Sequence, residues 1–382
     1  MLLQIPSLSY DDERVLAEID VARGRIRRQL AEPQPWAEQL RRYLIAGVIR
    51  GSNAIAGFHM SQVDAVALVV GEQMSGAVPE STQTAVEGYS RAFAYAQQAT
   101  KFEVFHYNHM LLSAMHFMLT EHDLPKWPGR YRTREVWIGG EPAGCAPAFE
   151  ATGPVRVPEL MTDLVDWLSD GDLNAHPYVR AAMAHLNLAS IRPWRDGNGR
   201  MSRILNNLVL AKEGELAPEF CSIEEWLGQS PANTKAYFDA LRQVHSTRAP
   251  EVDAHSWQFC LRAHHLRAQE IERRLEESGR LWLAVMEIAE HYKLEERTVS
   301  ALFAAASGHL RRLVYAHDED LTRDQSIRDV QQLKRLGLIE PVGYGRTQHY
   351  VAGAELGNRA GEIHAKVCTE LLREPYPVGS MA

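Results

Sequence analysis

Residues 191–203, Ile-Arg-Pro-Trp-Arg-Asp-Gly-Asn-Gly-Arg-Met-Ser-Arg, place a Gly-Asn-Gly turn, one carboxylate and four arginines between two segments of helical periodicity. Few folds accommodate such a junction. Asn198 between Gly197 and Gly199 lets the backbone bend until consecutive N–H groups converge on one point, and a helix starting there adds its positive N-terminal end. Arg200 and Arg203, three apart on the first turn, point the same way and can fork onto the oxygens of an anion.

The flanking segments read as core helices. Upstream, Val179, Met183, Leu186, Ala189 and Ile191 recur at near-helical spacing behind Pro177, a residue suited to a helix start. Downstream, Met201, Ile204, Leu205, Leu208 and Val209 continue the pattern to Lys212 and Gly214, where a cation and a glycine mark a C-terminus. The loop therefore joins two buried helices and holds a phosphate-sized anion between them.

This stretch resembles the signature of Fic (Fido-fold) proteins, His-x-Phe-x-Asp/Glu-Gly-Asn-Gly-Arg-x-x-Arg. The resemblance implies a mainly α fold, a Fic helical core with a small β-hairpin flap. It also implies a chemistry in which the histidine deprotonates a target hydroxyl, the acidic residue holds Mg2+, and the glycine turn with both arginines grips ATP while AMP is transferred. On that alignment Asp196 is the metal ligand, while Gly197, Asn198, Gly199, Arg200 and Arg203 bind phosphate. Without a metal, Asp196 would instead cap the following helix.

The chain departs from the signature where the base should stand, with Arg192 for histidine and Trp194 for phenylalanine. Arginine keeps its proton at physiological pH and cannot accept one from a hydroxyl, but it can steady a phosphate, a carboxylate or a developing oxyanion. Trp194 is expected to pack in the core. A second fragment, Ser52-Asn-Ala-Ile-Ala56-Gly57, resembles the inhibitory Ser/Thr-x-x-x-Glu-Gly/Asn motif of the family with alanine in place of the glutamate that pairs the second signature arginine. Arg203 would then lack its restraining partner. A third fragment, Pro128 to Gly140, resembles the flap and includes Tyr131 and Arg132: Val136, Trp137 and Ile138 read as a short strand ending in a Gly-Gly turn, a hairpin whose edge could receive an extended partner.

A replacement base would have to come from the sixteen histidines. His185 precedes Arg192 by seven residues, two helical turns, and so shares its side of the helix; it reads either as a catalytic group or as a core residue orienting the loop. His59 follows the degenerate inhibitory motif, and His106 and His109 reach the site only if their helix crosses it.

The C-terminal region has a different character. Ser326 to Gly337 reads as a capped amphipathic helix, followed by Leu338 to Val342, a Gly343-Tyr344-Gly345 turn and Gln348 to Val351 as a hairpin. Helix, turn, helix and two-stranded wing is the order of a winged helix, an α+β unit that could meet DNA through Arg328 and Lys334 on the helix and Arg346 on the wing; packing or dimerisation is the competing reading. Between Arg323 and Tyr350 five basic residues face three acidic ones, although the whole chain carries a net charge of −8.

Four regions are expected: an N-terminal helical region at 1–100 with the degenerate inhibitory motif, a core at 101–247 with flap and phosphate loop, a linking helix at 253–280, and a winged-helix-like domain with tail at 281–382. Residues 248–250 are the best linker. With 382 residues, 45% of them hydrophobic, the chain can bury a large core. No signal-peptide pattern or membrane-length apolar run is evident, so a cytoplasmic protein without membrane partners is expected. Cys145, Cys221, Cys260 and Cys368 show no metal-ligand spacing.

Two function classes remain, with a third behind them. The first is an atypical transferase whose donor is an adenine nucleotide or aminoacyl-tRNA, which could pass an aminoacyl group to a small molecule or act on a protein acceptor, with Arg192 steadying the oxyanion. The second is an inactive nucleotide sensor or DNA-binding regulator, alone or as a homodimer. Protein AMP transfer with an unusual base is the third.

Overall fold

The computed structural model describes residues 2–138, 149–150, 152–214, 216–246, 252 and 254–376. Fifteen helices and two short antiparallel hairpins make up the described chain. The first helices are α1 (Tyr10–Ala31) and α2 (Ala37–Ile55), with Pro33 and Pro35 in the break between them. Ser9 opens α1 through a capping box with Asp12. Next come α3 (Gln62–Val69), α4 (Glu80–Ala99) and α5 (His109–Thr120). Helix α4 carries Thr82, Ala85 and Val86 on its buried face from its first turns.

Strands β1 (Trp137–Ile138) and β2 (Phe149–Glu150) pair antiparallel, with Trp137 opposite Glu150. The hairpin expected there is present; its Gly139-Gly140 turn lies outside the described residues. The chain continues through α6 (Val157–Asp170), α7 (Pro177–Ile191), α8 (Asn198–Lys212), α9 (Glu224–Gln229) and α10 (Pro231–Ser246). Helices α7 and α8 are the centre of the fold: all but two of α7's residues and most of α8 are buried. Their apolar side chains join those of α1, α4, α5 and α6 in one core.

Helix α11 (Ala254–His291) runs 38 residues without a break, eleven beyond the end expected at residue 280. Its second half buries Leu281, Val285 and Ile288, which the charged first half had masked in the sequence pattern. The linker expected at 248–250 lies outside the described residues. After it come α12 (Thr298–Ala306), α13 (Arg312–Asp318), α14 (Arg323–Arg335), the antiparallel pair β3 (Ile339–Val342) and β4 (His349–Ala352), and α15 (Ala354–Val367). The N-cap of α14 is Thr322, in a capping box with Gln325, one turn before the expected Ser326. Ser326 is buried and its hydroxyl donates to the Arg323 carbonyl inside the helix.

A second core runs from Ile26, Trp36, Leu40 and Leu44 through Ile271 to Ile288 into Leu302, Val330 and Ile339, so the C-terminal elements pack on the N-terminal helices through α11. Arg42 makes a two-pronged ion pair with Asp318 (2.9 and 2.6 Å), and the buried Arg311 reaches Glu72 at 2.9 Å. No helix among the described residues is long and apolar enough to cross a membrane.

Candidate functional site

The turn between α7 and α8 is built by side chains that bind its own backbone. Asn198 clamps Trp194 from both sides: the Trp194 N–H donates to Oδ1 (3.0 Å) and Nδ2 donates to the Trp194 carbonyl (2.8 Å). Gly197 caps α8 at φ 73°, and a Cβ there would meet Leu119 and Thr120 methyl carbons at 3.1 Å, so both conformation and space require glycine. Trp194 is fully buried and stacks on His116 with ring centroids 4.4 Å apart and planes 4° from parallel.

His116, which sequence reasoning missed, fastens this turn to α5. The Gly129 N–H donates to its Nδ1 (2.8 Å), which leaves Nε2 as the protonated nitrogen that donates to the Asp196 carbonyl (3.0 Å). Burial pushes its pKa down to about 4, against the pull of the Asp196 carbonyl and carboxylate, so the imidazole is neutral and its tautomer is set. No local spacing announces a partner 80 residues away.

With the turn fixed, the N–H groups of Asn198, Gly199 and Arg200 open α8 with no carbonyl one turn back to receive them. Residues 196–200, together with Arg192 and Arg203, line a cleft of about 1120 Å³. Ala54 to Ala56, Phe58 and His59 form one wall, and Ser230, Thr234, Tyr237 and Phe238 of α9–α10 another. The buried Glu225, ion-paired to Arg267 (2.7 Å) and Arg274 (2.8 Å), ties that second wall to α11. Although burial opposes ionisation, these arginines hold the Glu225 carboxyl down at about 2.

Each arginine of the loop meets a different fate. Arg192 ends α7 in the left-handed conformation (φ 49°), and its Nε is buried without a hydrogen-bond partner among the described residues. Burial lowers its pKa, but an arginine so placed still keeps its proton. Arg195 turns outward over the Trp127 ring at 3.4 Å. Arg200 is only 3% exposed and lies 4.9 Å over the Phe58 ring, with Nη1 buried and unpartnered. Burial, only partly offset by Asp196, lowers its guanidinium to about 10. Arg203 is held by Ser52, through Nε to Oγ and Nη2 to the carbonyl (both 2.8 Å), and by the Tyr237 hydroxyl at 3.3 Å from Nη1.

Asp196 stands half-exposed at the cleft mouth, accepting from the Gly197 N–H (2.7 Å) and facing Lys126 at 3.4 Å. Burial raises its carboxyl, but Gly197, Lys126 and Arg200 outweigh that and hold it below the ordinary carboxylate range. A single ionised carboxylate is too little to hold Mg2+ by itself, but that ion takes only one or two protein carboxylates and completes its shell with other oxygens, so Asp196 fits the part of one such ligand. Among the described residues no group of three His, Cys, Asp or Glu side chains could hold a metal without such help.

Several expected site residues sit elsewhere. His185 does not line the cleft; it is buried beneath it, its Nε2 bonded to the Tyr237 hydroxyl at 3.1 Å, and burial together with Arg203 lowers its pKa to about 3. It is no replacement base, because two turns along α7 carry it to the core face. Arg132 points inward instead of toward a target: Nε donates to the Arg192 carbonyl (2.6 Å) and Nη2 to that of Ile191 (3.3 Å), capping the C-terminal end of α7. The Tyr131 hydroxyl bonds His109 Nδ1 at 2.8 Å, which holds both away from the cleft. Val136 is half-buried, and the side chain of Ile138 lies outside the described residues.

His106 does not line the cleft, whereas His59 does. Ser52 is buried against Arg203, while Ala56 and Gly57 end α2 exposed. Far away, Arg328 and Lys334 are exposed on α14, and the Arg346 side chain lies outside the described residues.

Against known proteins, a model of the Fic/DOC family matches residues 104–210. Protein adenylyltransferase fic-1 of Caenorhabditis elegans is 40% identical over 91 residues, 24% of this chain and 16% of that protein. Protein adenylyltransferase Fic of Drosophila willistoni is 36% identical over 101 residues, 26% of this chain and 19% of that protein. The chain thus spans less than a fifth of the length of these relatives. Among solved structures, a Fic family protein from Desulfovibrio desulfuricans superposes with a TM-score of 0.56 at 23% identity, covering 92% of this chain and 98% of the other, a likeness of fold.

Proposed function

From a chain whose residues 104–210 form a domain of the Fic/DOC family, we propose that the cleft binds the phosphates of an adenine-bearing donor and transfers its activated group without a histidine base. Arg200 carries this reading. A guanidinium 3% exposed, with Nη1 unpartnered, is a charge taken out of water that Asp196 and the Phe58 ring compensate only in part. An anion on the α8 N-terminus supplies what is missing, and the free N–H groups of Asn198 to Arg200 face the same cleft.

The names of the relatives make ATP the first donor to test and a protein side chain the first acceptor. Asp196 would hold Mg2+ alongside the phosphates, and the metal would supply neutralising charge there. Arg192 cannot take a proton from a hydroxyl, so AMP transfer to a hydroxyl should be slower by about 100- to 10,000-fold than with a positioned base. An acceptor that arrives as a free amine needs no such base. An aminoacyl ester on the 3′ adenosine of a tRNA is the second donor of this kind: the loop would take its phosphate and Arg192 the tetrahedral oxyanion. In this reading residues 101–247 form the catalytic unit and residues 281–382 a separate accessory one.

The test is incubation of the protein with labelled ATP and, separately, with charged tRNA, followed by intact-mass analysis of protein and small products. Label transfer or deacylation with either donor supports a transferase. Binding without turnover marks a nucleotide sensor, and no binding sinks the reading. Arg192→His should produce or accelerate AMP transfer if only the base is lacking.

One observation favours a second activity for the C-terminal unit. Arg323, Arg328, Lys334 and Arg335 on α14 form no ion pair among the described residues, in a chain of net charge −8. With hairpin β3–β4 after it, this is the surface a winged helix presents to duplex DNA. Anisotropy of a labelled duplex should show salt-dependent binding, with a log–log slope shallower by about 0.9 for each phosphate that Arg328→Ala or Lys334→Ala leaves without its cation. Absence of binding at low salt refutes it.

A further inference from the structure

Arg203 has five N–H donors. Three are taken by the protein: Nε by the Ser52 hydroxyl, Nη2 by the Ser52 carbonyl and Nη1 by Tyr237. One N–H remains on each terminal nitrogen, the pair needed for a forked contact with two oxygens of one phosphate. The side chain is 2% exposed and borders the cleft, so its approach is already decided before any anion arrives.

We propose that Tyr237, with Ser52, is a positioning residue that holds Arg203 aimed at phosphate, so that the cleft is preset for its donor without a carboxylate hydrogen-bonded to that arginine. The proposal rests on the reading of the cleft as a phosphate site. Tyr237 is suited to the task because its hydroxyl is anchored on two sides. It accepts from Arg203 Nη1 (3.3 Å) and shares a hydrogen bond with His185 Nε2 (3.1 Å). Burial keeps His185 neutral, so it sets no second positive charge beside the guanidinium. The Tyr237 ring adds a second constraint at 5.7 Å from the guanidinium carbon. Ser52 grips the opposite side from the last turn of α2, which leaves little freedom about the terminal torsion.

Tyr237→Phe keeps the ring and removes only the hydroxyl, leaving Arg203 Nη1 and His185 without their shared partner. Calorimetry on the full chain, with ATP and adenosine as probes, reads the effect. ATP affinity should fall by about tenfold, the order expected when a hydrogen bond to a charged group is removed. Adenosine, which has no phosphate, should bind as to the unaltered protein. Ser52→Ala, in which the Nη2 bond to the backbone survives, should lose less. In an Arg203→Ala background Tyr237→Phe should have no further effect. An equal loss for ATP and adenosine, or no loss of ATP affinity in either variant while Arg203→Ala abolishes it, overturns the positioning role alone. If Arg203→Ala leaves ATP affinity intact, the phosphate reading of the cleft fails, and this proposal with it.

Discussion

Replacing Arg200 by methionine should make the ligand-free protein more stable and abolish its response to nucleotide. Burial pulls the guanidinium from its ordinary range down to about 10; at about 1.4 kcal/mol per pKa unit, the folded state carries a penalty on the order of 3 kcal/mol. The sign follows from proton binding. A base whose folded pKa lies below its unfolded one penalises folding at every pH under the folded value, so the full penalty is present at pH 7 and disappears only in strong alkali. The contact with the Phe58 ring at 4.9 Å returns about 1 to 2 kcal/mol of it. Methionine keeps an unbranched chain against that ring, so a net gain of about 1 to 2 kcal/mol is expected in urea melts, with a thermal midpoint higher by a few degrees. ATP at a hundred times its dissociation constant should then raise the unaltered protein by about 2.7 kcal/mol and the variant hardly at all. If the methionine variant is less stable without ligand, or gains as much from ATP, Arg200 is not a charge waiting for an anion.

Ala56→Glu puts a carboxylate on the exposed end of α2, one turn past Ser52 and on the wall that Arg203 shares; ATP affinity measured by calorimetry should fall at least about tenfold, and an unchanged affinity would show that the α2 terminus does not face the phosphates. The neutral His116 and His185, with values lowered by burial to about 4 and about 3, and His264, which burial also holds well below its ordinary value, take up protons more readily when unfolded. Their contribution to stability is therefore complete above about pH 6.5 and lost as the pH falls toward 4, and His116→Phe should flatten part of that slope in denaturant titrations between those values.

The phosphate loop was legible in the sequence because its chemistry is local. Gly197, Asn198 and Arg200 act within a single turn, and the apolar periodicity of α7 and α8 shows where that turn begins and ends. What holds the loop was not legible. His116, Phe58 and Tyr237 reach it from 80, 142 and 34 positions away, respectively, along the chain, and no spacing rule links such positions. His185 illustrates the reverse case: helical phase put it on the side of Arg192, but two turns along a buried helix lead into the core and not to a surface. Arg132 was legible only as a member of the flap segment, while the unpaired carbonyls at the end of α7 draw its side chain inward. In the C-terminal region the turn glycines marked the hairpin correctly, and the helix start was misplaced by one turn because two hydroxyl residues, Thr322 and Ser326, both fit a cap.

At Gly51 helix α2 lies against the backbone of α9 with no side chain between them: a Cβ there would fall 2.2 Å from the Glu224 carbonyl oxygen. Such bare contact lets a rod turn or tilt as a piece but not bend. Its outer end carries Arg42 and Gln39, fastened to Asp318 and Ser300, and its inner end carries Ser52, about 20 Å from Gln39 along the axis at 1.5 Å per residue. One helix thus carries both the fastening at Asp318 and the hydroxyl that holds the Arg203 guanidinium.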